Sequence, residues 1–195
     1  MIITTNAWKK MLKSAGKNGV IIAGCEGEWL FVSDGHWVVN VMHKTLNKKE
    51  LAAYIEVVGK LPNDGEWFKL ADDEINPMEK PNAIMLPTKK ASHQIPIRTG
   101  ICHDDMGTLL RCYQRGDNYQ VKWYPETQLC AVNDSEVSKA YNESDSFGFY
   151  ATMTDVLIWR NATSVYGITS MARRYKELDD LLSGVDLNEF TILHD

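Results

Sequence analysis

Cys102-His103-Asp104-Asp105 places a thiol, an imidazole and two carboxylates in consecutive positions. A thiolate beside an imidazole at a helix N-terminus has a lowered pKa and is a competent nucleophile. Consecutive residues on a strand point to opposite sides, however, and no third group can be placed to orient the imidazole. Asp104 or Asp105 is better read as the cap of a helix, where a carboxylate accepts from free backbone N–H groups and meets the positive end of the dipole. The reading is therefore non-catalytic, with no catalytic residue assigned. Asp72-Asp73-Glu74 is an acidic triplet without metal-ligand spacing and reads as a solvated loop. Cys25, Cys102, Cys112 and Cys130 are scattered and form no CxxC pair. They read as reduced, mostly buried thiols; no metal and no cofactor is expected.

Cations form the second pattern. Lys9, Lys13 and Lys17 are four apart, so on a helix they make one ridge, with Lys10 beside it and no acid between them. Arg111 and Arg115 are also four apart. Like charges at this spacing cost a helix a few tenths of a kcal/mol each unless solvated or given an anionic partner. Such ridges suit a surface that tracks phosphates without reading bases, and a solvated helix face is the plain alternative. Lys9, Lys13, Lys17, Arg111 and Arg115 are thus the candidate nucleic-acid-binding residues. Six tryptophans are present. Trp29, Trp37, Trp123 and Trp159 fall in alternating strand patterns that fit packing better than base stacking, since those strands are poor in Lys.

The elements that would hold these residues follow from periodicity. Ile2-Ile3-Thr4 reads as a short strand. Trp8, Met11, Leu12 and Ala15 recur at helical spacing and predict a helix over 7–17, capped by Asn6 and stopped by Gly16 and Gly19. Strands are expected at 20–23, 29–32 and 36–41, the last two joined by an Asp34-Gly35 hairpin turn. Asn47 caps a helix over 47–60, ended by Pro62-Asn63-Asp64-Gly65. Residues 71–94 read as a loop broken by Pro77, Pro81 and Pro87, with 83–86 as a short closing strand. The second half is expected to run as a strand at 95–101, a helix from Asp104 or Asp105 to Gln114, and a hairpin of 119–124 with 128–132. A second hairpin pairs 155–160 with 164–169. Ser170 then caps a helix to Leu182, and 183–195 is a weakly packed tail.

Laid over each other, 6–40 and 104–139 bring helix, hairpin and Asp-containing turn into coincidence, with two extra residues allowed in one loop. Asn6-Ala7-Trp8-Lys9-Lys10-Met11-Leu12 then covers Asp104-Asp105-Met106-Gly107-Thr108-Leu109-Leu110. A half-size unit that cannot close its own sheet gains a partner by being copied. The fold class is accordingly α+β, built from two repeated helix-plus-antiparallel-strand units, with an inserted segment at 43–94 and a C-terminal helix. The units are placed at 1–94 and 95–195.

A strand, a basic-faced helix and three antiparallel strands, copied once, resemble one domain of a DNA sliding clamp, the processivity factor of replicative polymerases. Trp29-Leu30-Phe31-Val32-Ser33-Asp34-Gly35-His36-Trp37-Val38-Val39 resembles the hairpin that follows that family's helix. Val156-Leu157-Ile158-Trp159 and Val165-Tyr166-Gly167-Ile168 resemble its closing strands. The likeness covers 1–42 and 95–170. It implies basic helices that line a pore and touch DNA through water and phosphate, with no sequence preference. The long 43–94 segment and the helix at 170–182 depart from the pattern, and a ring would require several such domains.

The whole chain sets the remaining bounds. Its 195 residues suffice for one large domain or two small ones. A net charge of -5 argues against a nucleic-acid coat protein but allows a local basic face. No apolar run approaches a membrane span, and the start lacks a signal peptide's basic flank and apolar core, so a cytoplasmic location is expected. The sequons at Asn142 and Asn161 carry no meaning without secretion. The function that emerges is a non-enzymatic, clamp-like factor on double-stranded DNA, in company with replication or regulatory proteins. The alternatives are a protein-interaction module acting through 43–94, and a cysteine-dependent enzyme at Cys102.

Overall fold

The computed structural model describes residues 1–72, 74–81, 96–116, 118–141, 148–151, 156–171 and 176–187. The chain divides into two compact units. One comprises Met1–Thr88, Ala131–Gly148 and Trp159–Gly167; the other comprises Lys89–Cys130, Phe149–Ile158 and Ile168–Asp195. A boundary thus falls six residues before the expected 94/95 division, and the C-terminal part is shared between the units.

The first unit opens with helix α1, Thr5–Asn18. Thr4, rather than Asn6, is its cap: the Thr4 hydroxyl accepts from the Ala7 N–H. Gly19 closes it with φ 93 and donates its N–H to the Ala15 carbonyl. Trp8, Leu12 and Ala15 are fully buried, as their spacing requires. Strands β1 (Val20–Glu26), β2 (Trp29–Ser33) and β3 (Trp37–Met42) form an antiparallel meander. The β2–β3 turn is the expected one: Asp34 Oδ1 accepts from the N–H groups of His36 and Trp37, while Gly35 takes φ 91. Ile2-Ile3-Thr4 makes only an isolated bridge, Ile3 to Val132.

The described part of the 43–94 segment is built into the fold of this unit. Helix α2 (Lys48–Val58) carries a complete capping box between Asn47 and Glu50 and packs directly on α1. Strand β4 (Trp67–Ala71) pairs with β1, and β5 (Glu74–Pro77) pairs with β4. Strand β5 therefore stands inside the stretch that the prolines suggested was a loop, and β4 ends where that stretch begins. Pro77 is tolerated because β5 is at the sheet edge. The suggested strand at 83–86 lies outside the described residues. Gly24 of β1 is required by close approach: a Cβ there would sit 2.3 Å from the Trp67 ring. Phe31 flanks the same indole, ring centroids 5.3 Å apart.

The second unit departs from expectation at its start. Residues 104–115 are not a helix. Strand β6 (Ile97–Asp105) turns at Met106-Gly107 into β7 (Thr108–Gln114), which pairs with β8 (Val121–Pro125). This removes the proposed superposition of 6–40 on 104–139. The physical reason lies in Asp104, whose Oδ1 accepts from the Gly107 N–H at 2.7 Å. An aspartate bonding three residues on serves a tight turn as well as a helix cap. Gln128–Val132 is likewise no strand: helix α3 (Glu126–Leu129) follows β8, and helix α4 (Asp134–Tyr141) comes next.

Strands β9 (Gly148–Ala151), β10 (Val156–Arg160) and β11 (Ser164–Thr169) complete the larger sheet, whose order is β5-β4-β1-β2-β3-β11-β10-β9. The 156–169 hairpin is the expected one. At its turn Asn161 is 9% exposed and its Oδ1 accepts from Thr163 N–H, Ser164 N–H and Ser164 Oγ–H, so this sequon is consumed by turn structure. Asn142 lies outside the described residues. Helix α5 is Lys176–Leu182, and the N–H of Met171, which stands outside any helix, donates to the Trp123 carbonyl.

The second unit's core joins Leu110, Cys112, Val121 and Trp123 to Leu187. Gln114, fully buried, donates from Nε2 to the Tyr119 and Val185 carbonyls and accepts the Leu187 N–H. Residues 183–187 are therefore tied into a core rather than loosely attached; 188–195 lie outside the described residues. No helix of the described residues is long and apolar enough to cross a membrane.

Candidate phosphate-binding helix face

Helices α1 and α2 lie side by side and run the same way. At their N-terminal ends Thr5 Oγ1–H donates to Glu50 Oε1 at 2.7 Å, and the Trp8 indole N–H donates to the Glu50 carbonyl at 3.0 Å. Farther along, Lys13 Nζ meets Glu56 Oε1 at 3.2 Å, and a Cβ on Gly16 would touch Val57. Parallel packing of 14- and 11-residue helices brings two positive dipole ends together. Glu50 helps make this possible. Its carboxylate, 5% exposed as a residue, also accepts the Asn47 N–H at 2.9 Å.

Around these ends Thr5, Asn6, Lys9, Asn47, Lys48 and Lys49 line an open cleft of 560 Å³. Lys48 and Lys49 are exposed and Lys9 is half-buried. Lys13 and Lys17 continue the ridge from Lys9 towards the C-terminus of α1. Among the described residues, no carboxylate pairs with Lys9, Lys10, Lys17, Lys48 or Lys49. The structure thus brings together three of the expected residues, Lys9, Lys13 and Lys17. It adds Lys48 and Lys49, which sequence reasoning passed over. Their signal was available: two lysines in the first turn of a helix oppose the dipole, a placement that costs stability unless an anion is nearby.

Arg111 and Arg115 have no matching helix. Arg111 is in β7 and Arg115 follows it, its N–H donating to the Gln120 carbonyl. The Arg111 guanidinium grips Glu126 through two bonds, Nε to Oε2 at 2.6 Å and Nη2 to Oε1 at 2.8 Å. With about a fifth of each side chain exposed, this is an ion pair within the unit. It holds the Glu126 carboxyl below its ordinary range and raises the Arg111 guanidinium further.

The thiol candidate is dismantled by the same hairpin. Cys102 is exposed on β6, beside Arg111 in the ladder. His103 turns to the other face, its ring edge-on to Trp123 at 6.2 Å. The helix N-terminus that was to lower the thiol pKa is absent from this place, because residues 104–115 form a hairpin. Among the described residues no three His, Cys, Asp or Glu side chains gather closely enough to hold a metal ion. Asp73, the middle of the acidic triplet, lies outside the described residues. Elsewhere burial raises the Cys25 thiol and pushes the Tyr113 phenol up to about 12.

No protein-family model matches this chain, and no curated protein matches it. Solved structures resemble it weakly. The DNA polymerase III beta chain of Streptococcus pneumoniae is 10% identical, with 94% of this chain and 67% of that chain covered and a TM-score of 0.32. The Helicobacter pylori beta clamp bound to DNA ligase peptide is 10% identical, with 94% and 69% covered and a TM-score of 0.35. At this level of similarity, function has to be argued from the residues of the chain itself.

Proposed function

We propose that this protein is a non-enzymatic factor that lays the α1–α2 face along the phosphates of double-stranded DNA without reading sequence. The observation that carries the proposal is the side-by-side, parallel seating of the two helices, which gathers Lys9, Lys48 and Lys49 about one cleft and extends it with Lys13 and Lys17. Helix N-termini and ammonium groups both favour anions. The cations of α1 and α2 are all lysines, point charges that suit phosphates. Bidentate guanidinium contact with a base edge is absent from the design, so sequence preference is not expected. The net charge of -5 makes the surface as a whole unfavourable to a polyanion, so attraction must come from a local basic face.

The test is a fluorescence-anisotropy titration of labelled duplexes of unrelated sequence at low and moderate salt. Equal affinity for all sequences is expected, with a steep fall as salt rises because phosphate contacts release counterions. A combined Lys9→Gln, Lys48→Gln, Lys49→Gln variant should lose most of that affinity while melting as the wild type does, since exposed charges add little to stability. Absence of binding at low salt, or equal binding by both proteins, would favour the protein-interaction reading instead.

A further inference from the structure

Resting on that reading, we infer that Glu56 is a built-in competitor for the DNA phosphates, one that occupies Lys13 and sets how tightly the helix face holds a polyanion. Helix α1 contains no acid, and α2 contains only two, Glu50 and Glu56. Glu50 is buried and committed to the helix junction. Glu56 is therefore the single solvent-facing carboxylate of two helices that carry Lys9, Lys10, Lys13, Lys17, Lys48 and Lys49. It meets Lys13 at 3.2 Å, with 62% of its own side chain and 57% of the lysine's exposed.

Helix stability does not explain its position. Glu56 lies in the last turn of α2, where the dipole is negative and a carboxylate is disfavoured. An exposed lysine–carboxylate pair offsets little of this. What the carboxylate does achieve is local: it neutralises the middle of the Lys9–Lys13–Lys17 ridge and repels the incoming phosphate. A phosphate at Lys13 must displace Glu56, so the face binds through its ends first and engages its middle only at the expense of that pair.

The experiment compares wild type, Glu56→Gln, Lys13→Gln and the double variant by anisotropy on one duplex across a salt series, with thermal melts to show that all four fold. Freeing Lys13 adds one phosphate contact, so Glu56→Gln should bind about fivefold more tightly at low salt, with a log–log salt slope steeper by about 0.9. In the Lys13→Gln background there is no lysine to free, and the same change should leave the slope unaltered. A merely structural role for Glu56 would not move the slope. If Glu56→Gln matches wild type in affinity and slope while the Lys9, Lys48 and Lys49 replacements still abolish binding, the competitor role is overturned and the phosphate-binding face stands. If the wild type does not bind duplex at all, both are overturned together.

Discussion

Trp8 of α1 donates its indole N–H to the backbone carbonyl of Glu50 at 3.0 Å, in the core, across 42 residues of sequence. The same ring stacks on Tyr54 of α2, the planes 6° apart. Glu50 in turn receives the Thr5 hydroxyl from α1. One indole and one glutamate therefore hold the two helix N-termini in register, and the lysine cleft exists because they do.

Trp8→Phe keeps an aromatic ring but removes the donor and shrinks the side chain, leaving the buried Glu50 carbonyl short of a partner. A loss of about 1–3 kcal/mol is expected from urea unfolding. Trp8→Ala also opens a cavity and should cost about 3–5 kcal/mol. An unchanged urea midpoint in Trp8→Phe would mean that the indole bond does not secure the helix junction.

Arg111 and Glu126 set an acid dependence. The folded Glu126 carboxyl lies below its ordinary value of 4.5, first because Arg111 hydrogen-bonds to its charged form. A carboxyl whose folded pKa is depressed contributes stability that is fully present above the unfolded value. That stability is lost as pH falls through the folded value. Arg111→Gln should therefore lower stability at neutral pH by about 1–3 kcal/mol, as for a lost charged hydrogen bond. The deficit should shrink as pH drops below the ordinary carboxyl range. Urea midpoints over that span decide the matter; a deficit that is constant with pH would assign the effect to packing. Duplex binding by Arg111→Gln under stable conditions should match wild type, because this guanidinium is already engaged by Glu126.

The thiols give a third expectation. Cys102 and Cys130 are exposed and Cys25 and Cys112 buried, and none of the four is in a disulfide. The expectation of mostly buried thiols, drawn from the lack of paired spacing, holds for two of the four. A thiol reagent added to native protein should modify two groups quickly and the other two only on unfolding. Four fast groups would show that the cores holding Cys25 and Cys112 open readily.

Much of the secondary structure was legible because its causes are local. The spacing of Trp8, Met11, Leu12 and Ala15, the Asn47 cap, the Asp34-Gly35 turn and the 156–169 hairpin each depend on residues within a few positions of one another. Lys9, Lys13 and Lys17 were placed on one helix face by the same arithmetic. The hairpin at 97–114 was not legible, because Asp104 makes a bond that caps a helix or closes a turn equally well. Pairing of β7 with strands on both sides decided between them, and that alternation buries Leu110, Cys112 and Gln114 on one face. Only the tertiary structure sets α2 parallel to α1 and so joins Lys48 and Lys49 to Lys9. That juxtaposition depends on contacts across some forty residues, made when both helices bury their apolar faces, and no local pattern encodes which neighbour a helix will find.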